Sequence, residues 1–164
     1  TQIVKQYLIW ADSYQENQIT LVFDSMWEST RRMAEAIARG IQNVDPTVTL
    51  KLHNAATQDK NDIITDIFKS KAVLVGSSTI NNGLLYSIGG LLEMMKGLKF
   101  RNKKAAAFGS YGWSGEAVKQ ISERLAGAGF ALVDDGIRIQ WVPDAAAEEK
   151  CVRYGESFAK ALME

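Results

Sequence analysis

Apolar residues along this chain fall into short continuous runs, separated by longer stretches in which they recur every three or four positions. Ile19-Thr20-Leu21-Val22-Phe23 and Ala72-Val73-Leu74-Val75-Gly76 are runs of the kind a strand buried on both faces of a parallel sheet requires. Val48, Leu50 and Leu52 alternate with polar residues, which predicts a strand with one more exposed face. Lys104 to Gly109 reads as a fourth strand, its alanines allowing helices to pack closely. Phe130 to Val133 and Ile137 to Trp141 make a last strand region, with a bulge or jog at Asp134-Asp135-Gly136 and a stop at Pro143. Between these runs the spacing turns helical. Met33, Ile37 and Ile41 share a face, as do Val118, Ile121 and Leu125, and then Ala147, Cys151, Tyr154, Phe158 and Leu162. Ile63, Ile64, Ile67 and Phe68 mark a helix opened by Asp59, and Leu84 to Met95 is helical in outline, weakened by Gly89-Gly90. Ile3, Tyr7, Trp10 and Tyr14 predict an amphipathic helix ahead of the first strand.

Strands alternating with helices predict an α/β domain, a doubly wound five-stranded parallel sheet with helices on both faces and an extra N-terminal helix. In such sheets ligands sit beyond the carboxyl ends of the strands, where the strand order reverses. With the order 2-1-3-4-5, strands one, three and four lie side by side. Each of these three strands runs into a polar loop, so the three loops are expected to form one rim.

The first loop, Asp24 to Thr30, leads into a helix whose first N–H groups lack partners at the positive end of its dipole, a ready anion site. It has no Gly and no Gly-Lys-Ser/Thr, so it is neither a dinucleotide-binding turn nor a nucleoside triphosphate loop. The hydroxyls of Ser25, Ser29 and Thr30 suit one terminal phosphate monoester; Ser29 or Thr30 as a plain helix cap is the other reading. The second loop, Ser77 to Gly83, offers hydroxyls and Asn amides to a ribityl chain or a ring edge, or is a plain connection with an Asn-Gly turn. The third, Ser110 to Gly115, sets Tyr111 and Trp113 among glycines. The backbone can thereby approach a flat ring and an aromatic can cover it, unless Trp113 simply packs at a helix start.

Composition narrows the classes. At 164 residues, 46% of them apolar, the chain suits one domain with a substantial core. A formal net charge of zero points to neither nucleic acid nor an anionic membrane as a partner. No apolar run approaches a membrane span, and the absence of a signal-peptide pattern makes the cytoplasm the expected compartment. With one His and one Cys, a disulfide framework and a His- or Cys-rich metal site are excluded. The first residue is Thr rather than Met, as in a piece of something longer.

The segments Asp24-Ser25-Met26-Trp27-Glu28-Ser29-Thr30, Gly76-Ser77-Ser78-Thr79-Ile80-Asn81-Asn82-Gly83 and Gly109-Ser110-Tyr111-Gly112-Trp113-Ser114-Gly115 resemble the flavodoxin-like domain of flavodiiron proteins, including the flavorubredoxin branch. The opening Ile3-Val4-x-x-Tyr7-Leu8-x-Trp10-Ala11 is similar to the segment joining the two domains in that family, which makes residues 1–17 an interdomain linker helix and 18–164 the flavin domain. The resemblance implies noncovalent FMN, with its phosphate on Ser25, Met26, Trp27, Glu28, Ser29 and Thr30 and second-loop contacts from Ser78, Thr79, Ile80, Asn81, Asn82 and Gly83. Ring contacts would come from Ser110, Tyr111, Gly112, Trp113, Ser114 and Gly115, with Trp113 the nearest neighbour of the isoalloxazine. It also implies a diiron metallo-β-lactamase-like partner domain, in the same full-length chain or a dimer mate, and a rubredoxin-type or flavin reductase electron donor. In the family the flavin passes electrons to a diiron centre that reduces oxygen or nitric oxide. The diiron motif and the four Cys of a rubredoxin are missing from this chain, so it is expected to carry electrons rather than reduce either gas itself.

Two other functions stay open on residues alone: a stand-alone flavin quinone or nitro reductase, and a flavin-free interaction or receiver-like module using Asp24. Among lone residues, His53 reads as a solvated strand end, Cys151 as packed core, and Arg31 and Arg32 as a solvated helix face.

Overall fold

Side-chain alternation along the first strand organises the molecule, seen in a computed structural model that describes residues 2–11 and 14–164. In β1 (Glu16–Asp24) successive residues face opposite sides of the sheet. Ile19, Leu21 and Phe23 point into one core layer with Met33, Ile37 and Ile41 of α2 (Ser29–Val44) and Phe158 of α6 (Ala145–Ala161). Val22 points the other way. There it joins Ile63 and Ile67 of α3 (Lys60–Lys69), Ile88, Leu91 and Met95 of α4 (Tyr86–Leu98), and Ile121 and Leu125 of α5 (Glu116–Gly127). The two layers sandwich a sheet in which β1 pairs in parallel with β2 (Thr49–Asn54) and β3 (Ser70–Ser77), and β3 with β6 (Lys104–Tyr111). Leu21 lies opposite both Leu52 and Leu74, and Leu74 opposite Ala106.

The last strand is split as expected. β7 (Ala131–Leu132) and β8 (Ile137–Gln140) both pair with β6, on either side of the jog at Asp134 to Gly136. Counting them as one strand gives the order 2-1-3-4-5. The fold is flavodoxin-like. The second loop is more structured than a plain connection. β4 (Thr79–Ile80) and β5 (Gly83–Leu84) form an antiparallel hairpin. Asn81 and Asn82 turn it with φ of 49° and 56°, the left-handed pair that a two-residue hairpin needs and that Asn tolerates. Gly89 and Gly90 do not interrupt α4.

The helix α1 (Gln2–Ala11) forms where the spacing predicts it, but it buries none of its residues. Ile3 is 69% exposed and Leu8 66%. Residues 12 and 13, through which the expected helix runs, lie outside the described residues. Tyr14 is not part of α1; its ring stacks on Phe68 at 5.9 Å.

One residue departs from its expected surroundings, and a lysine is buried. His53 is buried, not solvated. Its Nε2 lies 2.8 Å from Asp66 Oδ2 and its Nδ1 3.2 Å from Gln58 Oε1, so two oxygens replace water around the ring. Lys103 is also buried, with Nζ donating to the carbonyls of Phe68 and Ser70 at 2.8 and 2.6 Å and of Tyr14 at 3.3 Å. Burial pushes its pKa down to about 8. An unfolded lysine keeps its proton to about pH 10.4, so between these values the unfolded state binds more protons and stability rises with pH. Urea unfolding at pH 7.5 and 9.5 checks this: the stability of wild type relative to Lys103→Met increases at the higher pH, and an unchanged difference contradicts it. Cys151 is packed core, its thiol pushed up to about 11 by burial. Tyr154 is held protonated by burial and by its 2.6 Å hydrogen bond to Asp134.

Candidate functional site

The carboxyl ends of β1, β3 and β6 open into a cleft of about 660 Å³, within the usual range for small-molecule sites. All three polar loops contribute to it: Met26, Trp27 and Ser29 from the first, Ser78 to Asn82 from the second, Ser110 to Ser114 from the third. Among the described residues no charged side chain lines it.

Its floor is a cluster of buried hydroxyls. Ser29 Oγ and Ser110 Oγ share a hydrogen bond of 2.7 Å, Thr30 Oγ1 lies 3.0 Å from both Ser78 Oγ and Ser110 Oγ, and the last two are 3.2 Å apart. Each hydroxyl carries one rotatable proton and is bonded chiefly to the others, so the cluster can turn its donors toward an oxyanion above it. The N-terminus of α2 adds backbone N–H groups and the positive end of its dipole. Thr30 N–H is already taken by Ser25 Oγ at 3.2 Å, which closes the loop on itself. Asp24 sits beneath, buried, accepting from Ser25 N–H at 2.7 Å and from the Ser87 hydroxyl of α4, and so ties the first loop to the helix that follows the second. In that position its carboxylate is not open to solvent as a receiver's phosphoacceptor must be.

The walls are aromatic. Trp27 is 81% exposed and Trp113 91%, large apolar surfaces left uncovered at the cleft mouth. The Arg138 guanidinium carbon lies 5.8 Å from the Tyr111 ring centroid.

Of the expected residues, Ser25, Glu28, Thr30, Gly83 and Gly115 lie outside the lining. Thr30 is buried but bonds to the lining hydroxyls of Ser78 and Ser110, and Ser25 accepts from the Thr30 N–H. Glu28 adopts φ 60° and its side chain pairs with Arg31 at 3.1 Å, facing away. Gly83 belongs to the hairpin and Gly115 caps α5. Arg31 and Arg32 are tied to Glu35 and Glu148 on the surface rather than turned to the cleft. Two lining residues, Trp141 and Val142, escaped the sequence reading. They follow the fifth strand, and an aromatic two residues before Pro143, where the strand must stop, was the available signal. Among the described residues no group of three or more His, Cys, Asp or Glu is placed to hold a metal ion.

Hydroxyl donors at a helix start, a charge-free cleft and flanking indoles fit a phosphate monoester carrying a flat aromatic ring. The family model for flavodoxin matches residues 21–155. The anaerobic nitric oxide reductase flavorubredoxin of Aliivibrio salmonicida is 54% identical over 160 residues, 98% of this chain and 32% of that protein. That of Klebsiella pneumoniae is 52% identical, with 98% and 33% covered. The chain therefore spans about a third of the length of the curated relatives it matches. Among solved structures, the rubredoxin oxygen:oxidoreductase of Desulfovibrio gigas superposes with a TM-score of 0.91 at 36% identity, over 98% of this chain and 39% of that one. An archaeal flavodoxin superposes with a TM-score of 0.80 at 28% identity, over 90% of this chain and 99% of its own. The chain belongs to the flavodoxin family and is similar, over nearly its whole length, to the matching part of flavodiiron proteins.

Proposed function

We propose that the cleft holds one FMN and that the domain relays electrons to a diiron centre on a metallo-β-lactamase-like domain, where nitric oxide or oxygen is reduced. The observation that carries this is the meeting of three sequence-distant loops on one cleft with a hydroxyl floor. Ser29, Thr30, Ser78 and Ser110 would donate to the phosphate, assisted by the first N–H groups of α2. Because no Lys or Arg among the described residues lines the cleft, the phosphate's negative charge would be balanced by dipoles rather than by a salt bridge. Asn81, Asn82 and the backbone of the third loop would meet the ribityl chain and the polar edge of the ring, and Trp27 and Trp113 would cover its faces and exclude water. Bound FMN supplies one- and two-electron oxidation and reduction, while the protein binds, orients and tunes it. In a longer protein α1 would form part of a linker to the diiron domain; its exposed apolar residues support a partner surface there. A rubredoxin-type or flavin reductase donor, and cytoplasmic residence, complete this reading. No helix among the described residues is long and apolar enough to cross a membrane.

The chain mixed with excess FMN and passed through gel filtration is expected to emerge yellow, with one flavin per chain by absorbance. A colourless protein peak contradicts the reading. Rapid turnover of a quinone with a pyridine nucleotide would favour a stand-alone reductase instead.

A further inference from the structure

The turn after β8 is held in a conformation its residue disfavours, and its backbone hydrogen bond and ring contacts lead to the third loop. Trp141 has φ 63°, a left-handed backbone that a bulky aromatic adopts only under constraint from its surroundings. Its N–H donates to the Tyr111 carbonyl at 2.7 Å, adding one rung beyond the Tyr111–Gln140 pair that ends the β6–β8 ladder. Gln140 Nε2 donates to the Gly112 carbonyl at 3.0 Å. The Trp141 ring lies so close over Gly112 that a Cβ there would stand 3.0 Å from it. Gly112 thus has a reason beyond backbone approach to a flavin: it makes room for an indole. The same indole meets Trp113 edge to face, with centroids 5.3 Å apart and planes at 76°. At 91% exposure, Trp113 has almost no core to fix its rotamer, and the ring against it is that of Trp141.

We propose that Trp141 is a positioning residue of the flavin site, bracing the third loop from the neighbouring strand and holding the Trp113 indole at the cleft mouth. This rests on the reading that the flavin ring lies against the third loop. The brace explains how an exposed aromatic can present a defined face to a ligand without reorganising on binding.

The test is a double-mutant cycle on flavin affinity, read by quenching of flavin fluorescence, with FMN and riboflavin each titrated into wild type, Trp113→Ala, Trp141→Ala and the double variant. If Trp141 acts through Trp113, each single change weakens both ligands about tenfold, and the double variant is no weaker than Trp113→Ala alone. Both ligands suffer equally because the phosphate floor is untouched. Trp141→Phe keeps a ring edge and the backbone bond, so it recovers affinity to within about threefold of wild type, together with the visible circular dichroism of bound flavin. Losses that multiply to about 100-fold in the double variant would overturn the proposal, as would Trp141→Ala binding within twofold of wild type. Should Trp141→Ala not fold, Trp141→Leu carries the same cycle. A wild-type chain that takes up no FMN removes the underlying reading and this inference with it, whereas tight wild-type binding with multiplying losses removes the inference alone.

Discussion

Replacing Ser29 by Ala and Thr30 by Val together is expected to weaken FMN binding by at least roughly 100-fold while leaving riboflavin within about threefold of wild type. A hydrogen bond to a charged group is worth about 1.5–3 kcal/mol, so two lost donors cost about 3–6 kcal/mol, and each 1.4 kcal/mol is tenfold. The ring walls are unchanged, so a ligand without the phosphate does not register the loss. The fold should tolerate the change. Both replacements are close in shape, and Ser78 Oγ and Ser110 Oγ, 3.2 Å apart, can still satisfy each other. Parallel fluorescence titrations with the two ligands measure the ratio. Equal weakening of both would mean that the hydroxyl floor is not where the phosphate goes.

Gly155→Ala is expected to destabilise the domain by about 3 kcal/mol or more, by overpacking where nothing can yield. α2 and α6 approach so closely that a Cβ on Gly155 would stand 2.1 Å from the Ile37 carbonyl oxygen, and one on Gly40 1.9 Å from the Val152 carbonyl oxygen. Both obstacles are backbone in the middle of helices, not the ends of flexible side chains. The two helices must separate, and the separation disrupts the layer of Met33, Ile37 and Phe158 beneath the first loop. For a domain of this size the melting temperature should fall by roughly 6–12 °C. A melting temperature within about 2 °C of wild type would show that the helices slide apart at little cost.

The spacing of apolar residues is enough to read the alternation of strands and helices, because strands buried on both faces leave uninterrupted apolar runs; the strand order, and with it the convergence of the three loops, follows from the doubly wound topology and not from the spacing. The split of the fifth strand was visible in Asp134-Asp135-Gly136 for the same reason: those polar residues interrupt an apolar pattern. Features set by contacts distant in sequence were not legible. His53 finds Asp66 on α3 and Gln58 in the intervening turn, and nothing in its own strand indicates that burial. Lys103 is buried at the base of the sheet among carbonyls from two separate stretches, Tyr14 and the turn from Phe68 to Ser70. The contribution of Trp141 depends on β8 lying beside β6 in register, a pairing no local pattern encodes. The glycines of the third loop read as room for a flat ring, and Gly112 also answers to the indole of Trp141.

The central claim concerns where one flavin lies, and amide chemical-shift mapping of the 18.1 kDa chain tests it most directly. On titration with FMN the shifts should saturate at one equivalent and be largest at residues 26–30, 78–82, 110–114 and 141–142. Riboflavin should reproduce the changes at 110–114 and 141–142 but not those at 29 and 30. Shifts centred on the opposite end of the sheet around Lys103, or scattered without saturation, would contradict the account.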